Sequence, residues 1–304
     1  MAAFTTFTSE ALERYLVMFG RGRLKDFRPT PGGIENSNYF VDLDQGGSVS
    51  SFVLTIMETH GFDEMPFFNK VMTQLKHYGL PVAAPVMTLD GMRSTIFCGK
   101  PAFLIERLVG EHLDSTDSTH CEVIGEFIAA SHQALAEINL ERDNPYDLGW
   151  MQEKIRQLPD TVTREERELL TGLAARYEEL LRQDLPRGLI HGDLFQDNAL
   201  FADGELTGVI DFYHACTDML IQDLAIAIND WCLDDARRLD TTKRDAMVQG
   251  YERVRPLSEA ESAALLPLQQ VSAARFALTR FNSGDPPLKN PGEMIELAVH
   301  LMEG

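Results

Sequence analysis

Two short segments hold the residue types that phosphoryl transfer from a nucleotide to an alcohol requires. They are HGDLFQDN, running from His191 to Asn198, and VIDF, running from Val209 to Phe212. That reaction is mostly positioning and charge neutralisation: a carboxylate to accept the hydroxyl proton, and hard oxygen ligands for Mg2+ on the phosphates. Asp193 lies where the apolar pair Leu189-Ile190 leaves a strand for a loop, so its side chain can reach a cleft. Asn198, five positions on, opens the next strand with an amide oxygen. The Asp203-Gly204 pair turns the chain, and the return strand over Leu206–Ile210 ends at Asp211. Hairpin logic therefore brings Asp211 back beside Asn198, giving one candidate base and two candidate Mg2+ ligands on one edge. The competing reading, two aspartates that only hold turns, explains each residue singly but not their joint spacing.

The elements that must position these residues fall into two regions. Residues 1–107 read as strands with two helices. A helix capped by Ser9 runs from Ala11 to Phe19, and a short run around Leu24–Phe27 follows. The loop Pro31–Asn38 leads into Tyr39–Leu43, which turns at Gln45–Ser48 and returns over Ser51–Met57 as an antiparallel hairpin. Met65–Tyr78 has helical periodicity and stops at Gly79. Two further strands, Pro85–Leu89 and Ser94–Cys98, are joined by Asp90-Gly91 as a type I′ turn, and Pro101–Leu108 is one more. From residue 117 the pattern is helical: Glu122–Asn139, Arg164–Gln183, then roughly 219–232, 241–252, 259–281 and 292–302, with the His191 segment as a β island among them. This predicts an α+β chain with a small antiparallel β-sheet N-lobe (1–107) and a larger helical C-lobe (108–304).

The H-x-D-x-x-x-x-N spacing followed by a hydrophobic-Asp-Phe corner resembles the catalytic arrangement of kinase-like folds. More narrowly it resembles the motif of the aminoglycoside phosphotransferases and choline kinases. HGDLFQDNALF together with GVIDFYHACTDMLIQDLAIAINDWC is similar to the bacterial homoserine kinases of that superfamily. The loop GGIENSNYFV, the strand FVLTIME and the helix bearing Arg275 and Arg280 resemble the same subfamily, so the likeness spans nearly the whole chain and is weakest over 140–185.

The resemblance implies a two-lobed protein-kinase-like fold and ATP- and Mg2+-dependent phosphorylation of L-homoserine, a step towards threonine. Asp193 would be the catalytic base, His191 would orient the catalytic loop, and Asn198 and Asp211 would hold Mg2+. Asp223 would tie down the catalytic-loop backbone. Gly33, Ser37 and Asn38, between two strands, would lie over the phosphates as kinase glycine-rich loops do. Thr55 stands where most kinases place a lysine; it can donate a hydrogen bond but carries no charge, and the subfamily is read as sharing it. The stretch Ile105–Leu108, with Glu106 and Leu108, would form the hinge against adenine. A homoserine pocket needs a guanidinium for the carboxylate and an acid for the ammonium. Arg275 and Asp230 are the candidates, with Tyr213, Trp231 and Asn229 nearby in sequence. Another small-molecule kinase of the superfamily, acting on choline, an aminoglycoside or a hydroxy-amino acid, is the rival reading. An inert nucleotide-binding module, suggested by Thr55 alone, is the more distant one.

Composition narrows the partners. Lys plus Arg number 27 against 47 Asp plus Glu, a formal net charge of −20, which repels polyphosphate and anionic bilayers and disfavours nucleic acid or membrane partners. At 44% hydrophobic and 24% charged the chain reads as globular. No basic stretch followed by an apolar run opens it, and its four cysteines show no metal-ligand spacing, so a cytoplasmic enzyme with small buried thiols is expected.

Overall fold

The computed structural model describes residues 4–31, 35–284, 287 and 289–303. Alternating burial along Ser37–Gln45 (β2) and the apolar end of Ser48–Ile56 (β3) marks a sheet with one face in a core. With Arg23–Pro29 (β1), Thr95–Phe97 (β4) and Lys100–Glu106 (β5) these form a five-stranded sheet in the order β1-β2-β3-β5-β4, antiparallel throughout. Helix α1 (Ser9–Leu16) covers the face that carries Tyr39, Val41, Leu43, Phe52, Leu54 and Ile56, inserting Leu12, Tyr15 and Leu16. Its cap is Thr8, whose hydroxyl accepts from the Ala11 N–H, rather than Ser9, which is the first helical residue. Helix α2 (Met65–His77) buries Phe68, Val71, Met72 and Leu75 at three- and four-residue spacing.

One predicted turn is in the wrong place. Asp90-Gly91 does not make a type I′ hairpin, because only Gly91 has positive φ and that turn needs both central residues left-handed. The turn that joins β4 to β5 is Cys98-Gly99, with φ of 52° and 75°. Pro85–Leu89 contributes a single bridge, from Pro85 to Ile105, and is not a strand of the sheet.

The remaining elements are helical around two short β pairs. Helices α3 (Ser118–Ala136), α4 (Leu148–Arg156) and α5 (Arg164–Leu181) precede β6 (Arg187–Ile190). Strands β7 (Ala199–Ala202) and β8 (Glu205–Val209) flank Asp203-Gly204, here a pair that is left-handed at both residues. Then β9 (Cys216–Met219) pairs antiparallel with β6, followed by α6 (Leu220–Trp231), α7 (Thr241–Val254), α8 (Glu259–Phe281) and α9 (Gly292–Glu303). The sequence reading missed α4 and β9; β9 is four residues, CTDM, with no apolar alternation to reveal it.

Two units emerge from the contacts: residues up to Gly110 with Thr207–Ile210, and Glu111–Leu206 with Asp211 onward. The first takes in the end of β8 because the Val209 N–H donates to Pro81 O at 2.8 Å. In the second, α3 and α7 cross at glycines. A Cβ on Gly125 would come within 2.0 Å of Met247 O, and one on Gly250 within 2.0 Å of Glu122 O, so only glycine permits that approach. Three cysteines are buried, with the Cys121 and Cys232 sulfurs 3.8 Å apart, but Cys98 is exposed, against the expectation for it. Among the described residues no helix is long and apolar enough to cross a membrane.

Candidate active site

The β6–β9 pair sets the two chemical segments side by side. Ile190 is in register with Cys216, so the loop after β6 and the turn before β9 leave the same end of the ladder. Gly192 has φ of 77°, and a Cβ there would meet His214 O at 3.0 Å, so the close approach of the two segments depends on glycine. The His191 ring packs on Phe212 with centroids 4.5 Å apart.

Most residues from His191 to Asn198 are tethered by side chains. The Asp223 carboxylate accepts from the N–H of His191 through Oδ2 and of Gly192 through Oδ1, both at 2.9 Å. His191 Nδ1 accepts from the Asp193 N–H at 3.3 Å. Arg275 Nη1 donates to Gly192 O at 3.0 Å, and Trp231 Nε1 donates to Leu194 O at 3.0 Å. Asp230 Oδ2 accepts from the Gln196 N–H at 2.8 Å, while Gln196 Nε2 returns a bond to Asp230 O. Asn198 Nδ2 donates to Asp193 O at 2.8 Å and to Asp193 Oδ2 at 3.3 Å. Asp223, Asp230 and Trp231 are seven and eight positions apart on α6 and thus share one helix face.

Burial raises the pKa of Asp193 above the ordinary carboxylate value, opposed by His214, Arg275 and His191 and aided by Asp197. A more basic carboxylate that keeps part of its surface exposed is suited to taking a hydroxyl proton. Burial also acts to raise the pKa of Asp223, but the hydrogen bonds it accepts from the His132 ring and the His191 N–H help to outweigh it and hold the value below the ordinary one. The two carboxylates are thus pushed in opposite directions, Asp193 towards greater basicity and Asp223 towards less.

The donor set fits a hard divalent cation. The Asn198 amide spends its nitrogen on Asp193, which leaves its oxygen as the atom that could ligate such a cation, and Asp211, a left-handed residue with φ 65°, could add a carboxylate.

Several residues assigned to substrate or nucleotide sit elsewhere. Trp231 is 1% exposed and buried under the loop, and Tyr213 is buried as well. Arg275 is buried, with its guanidinium carbon Cζ 3.9 Å from the Tyr146 ring centroid and 4.0 Å from that of Phe276, and it donates to the Gly192 carbonyl. Arg280 turns to α9, bonding Asn290 O and Glu293. Asp230 caps the turn at Gln196; burial pushes its pKa up to about 6. Asn229 bonds Gln269 O across to α8. Ser37 is fully buried, accepting from the Phe4 and Thr5 N–H groups and donating to Glu58, so its hydroxyl is not directed at a phosphate. Gly33 lies outside the described residues. Asn38 and Thr55 do come together, as cross-strand partners on β2 and β3. The Glu106 carboxylate pairs with Lys76 of α2 at 2.9 Å, and Leu108 follows β5 half-buried.

Sequence reasoning passed over His132, His214 and Tyr146. Tyr146 OH lies 3.1 Å from His214 Nδ1, and nothing in their spacing from Asp193 marks either residue.

Residues 26–257 match the phosphotransferase enzyme family. The chain is 38% identical over 285 residues to the homoserine kinase of Polaromonas naphthalenivorans, covering 92% of this chain and 89% of that protein. It is 37% identical to the homoserine kinase of Pseudomonas aeruginosa, covering 92% and 88%. Among solved structures it is similar to an amicoumacin kinase (TM-score 0.72, 16% identity, 98% of this chain and 93% of that one). A microcompartment-associated aminopropanol kinase is also similar (TM-score 0.70, 18% identity, 97% and 95%). A tethered H-x-D-x-x-x-x-N loop, a protein-kinase-like α+β fold and identity along almost the full length converge: the chain belongs to the phosphotransferase enzyme family and, within it, to the homoserine kinases.

Proposed function

We propose that the chain transfers the γ-phosphoryl group of ATP to the side-chain hydroxyl of L-homoserine, releasing O-phospho-L-homoserine and ADP, with Asp193 as the base. The observation that carries this reading is the Asp193 carboxylate, raised in basicity and aimed by Asn198, on a loop tethered at both of its flanks. Its carboxylate accepts the hydroxyl hydrogen and aligns the oxygen for in-line attack on the γ-phosphorus. Asn198 Nδ2 fixes the carboxylate rotamer, and His191 acts through the Asp193 backbone rather than on substrate. When bound, Mg2+ neutralises charge on the phosphate oxygens; Asn198 Oδ1 and the Asp211 carboxylate are the residues that would hold it. Thr55 and Asn38 are uncharged, so any contact either made with a nucleotide would be a hydrogen bond and would neutralise no phosphate charge.

Coupled ADP release with Mg-ATP over L-homoserine, L-threonine, L-serine, choline, ethanolamine and kanamycin tests the acceptor, and Asp193→Asn tests the base. Turnover on homoserine alone, lowered at least ~1000-fold in kcat by the substitution, is the expected outcome. Turnover on another alcohol overturns the acceptor, and an active Asp193→Asn enzyme overturns the base.

A further inference from the structure

Behind the catalytic loop a chain of buried polar side chains runs out to the protein surface. His132 Nε2 lies 3.2 Å from Asp223 Oδ2, and His132 Nδ1 lies 3.0 Å from the Tyr251 hydroxyl. That hydroxyl lies 3.0 Å from Arg255 Nη1, which pairs at 2.8 Å with Glu261. His132, Asp223, Tyr251 and Glu261 are all buried. The glycine crossing of α3 and α7 is what lets His132 and Tyr251 meet.

The proton positions follow from donor capacity. The Asp223 carboxylate can only accept, so the hydrogen of a neutral His132 ring sits on Nε2; a guanidinium can only donate, so the Tyr251 oxygen accepts from Arg255 and its own hydrogen is left for His132 Nδ1. Nδ1 is then an acceptor, and the ring hydrogen sits on Nε2, where it is donated to Asp223. The groups facing the His132 ring are Asp223 from α6 and Tyr251 from α7, with His191 beyond Asp223. Asp223 in turn receives three donors, from His132, His191 and Gly192. The direction of donation is thus set from both ends, by the Arg255 guanidinium and the Asp223 carboxylate that holds the backbone on which Asp193 stands.

We propose that Tyr251 is a positioning residue for phosphoryl transfer: held as an acceptor by Arg255, it fixes His132 as the Nε2–H tautomer and so orients the Asp223 carboxylate that grips the catalytic loop. The inference rests on Asp193 being the base. Removing the Tyr251 hydroxyl leaves a buried imidazole nitrogen without its donor, which loosens the loop without touching either substrate.

The experiment combines kinetics with nitrogen NMR of the histidine rings, the His132 signals being identified by their loss in His132→Gln. In the unsubstituted enzyme the neutral His132 ring is expected to carry its proton on Nε2 and none on Nδ1. Tyr251→Phe is expected to shift the Nδ1 resonance and lower kcat roughly tenfold, with both KM values within about twofold. Arg255→Met is expected to follow it, and Arg255→Lys to restore kcat because an ammonium also only donates. A proton on Nδ1 in the unsubstituted enzyme, or a Tyr251→Phe kcat equal to the unsubstituted one, overturns the proposal. Asp193→Asn, measured alongside, separates the two readings: if it is active the base assignment has failed, and if it is inactive while Tyr251→Phe is unaffected, only the relay has. Thermal unfolding of each variant shows whether a fall in kcat comes from the folded enzyme; a fall that disappears once unfolded protein is discounted also overturns the proposal.

Discussion

Three residues whose types suit a homoserine pocket, Arg275, Asp230 and Trp231, each bond the catalytic loop. The same chemistry that would bind a zwitterion, a guanidinium and a carboxylate, also satisfies backbone groups in a buried loop, and one-dimensional proximity to Asp211 does not tell the two uses apart. Trp231→Phe separates them. It removes one N–H and leaves Leu194 O buried without that donor, a cost of about 1–3 kcal/mol in denaturant unfolding. The kcat is expected to fall while the homoserine KM stays within about twofold, whereas a substrate contact would raise KM. Glu58 gives a residue-level pH test. Its burial works to raise the pKa, but Lys100, Ser37 and Thr5 lower it on balance below 4.5. A carboxylate depressed in the folded state stabilises above its unfolded pKa and loses that contribution as pH falls through the folded value. The stability gap between the unsubstituted protein and Glu58→Gln should therefore be full above about pH 5 and shrink on acidification, read by urea midpoints across that range. Asp193, Asn198 and Asp211 were legible because their spacing is tied to a hairpin; His132 and Tyr251 were not, because their pairing depends on a helix crossing.

At the level of elements, the crossing of α3 and α7 is the contact least tolerant of change. Gly125→Ala or Gly250→Ala would drive a methyl into a backbone carbonyl of the facing helix, and backbone, unlike a side-chain tip, cannot swing away. Each is expected to cost about 3 kcal/mol or more and to lower Tm by roughly 10 °C, followed by circular dichroism at the helix band. Either change also spreads His132 from Tyr251. Helices α6 to α9 were readable to within two residues from apolar periodicity and caps, since each is long and strongly patterned. The β4–β5 hairpin was not, because its left-handed corner is Cys98-Gly99 and cysteine is no turn former. Asp90-Gly91, which has the favoured composition, closes only a loop in which Thr88 and Met92 are bonded.

Over the whole molecule the excess of acid is the dominant long-range term. A formal charge of −20 on 304 residues repels itself in the folded state, and salt shortens that repulsion to a Debye length of about 10 Å at 0.1 M. Raising NaCl from about 10 to about 200 mM should lift Tm, by about 3 °C for each kcal/mol of repulsion relieved; a fall would mean that the ion pairs outweigh it. The sequence ends its strand-rich stretch at residue 107 and turns helical from 117, while the contacts divide the chain after Gly110 and return Thr207–Ile210 to the first unit; nothing in the periodicity marks that return, since it depends on a backbone bond to Pro81. The exposed Cys98 at the β4–β5 corner has a practical consequence. With its three fellow thiols enclosed, the folded enzyme carries a built-in attachment point for a maleimide dye or spin label on the β-sheet unit, so that unit can be tracked spectroscopically without altering the polypeptide.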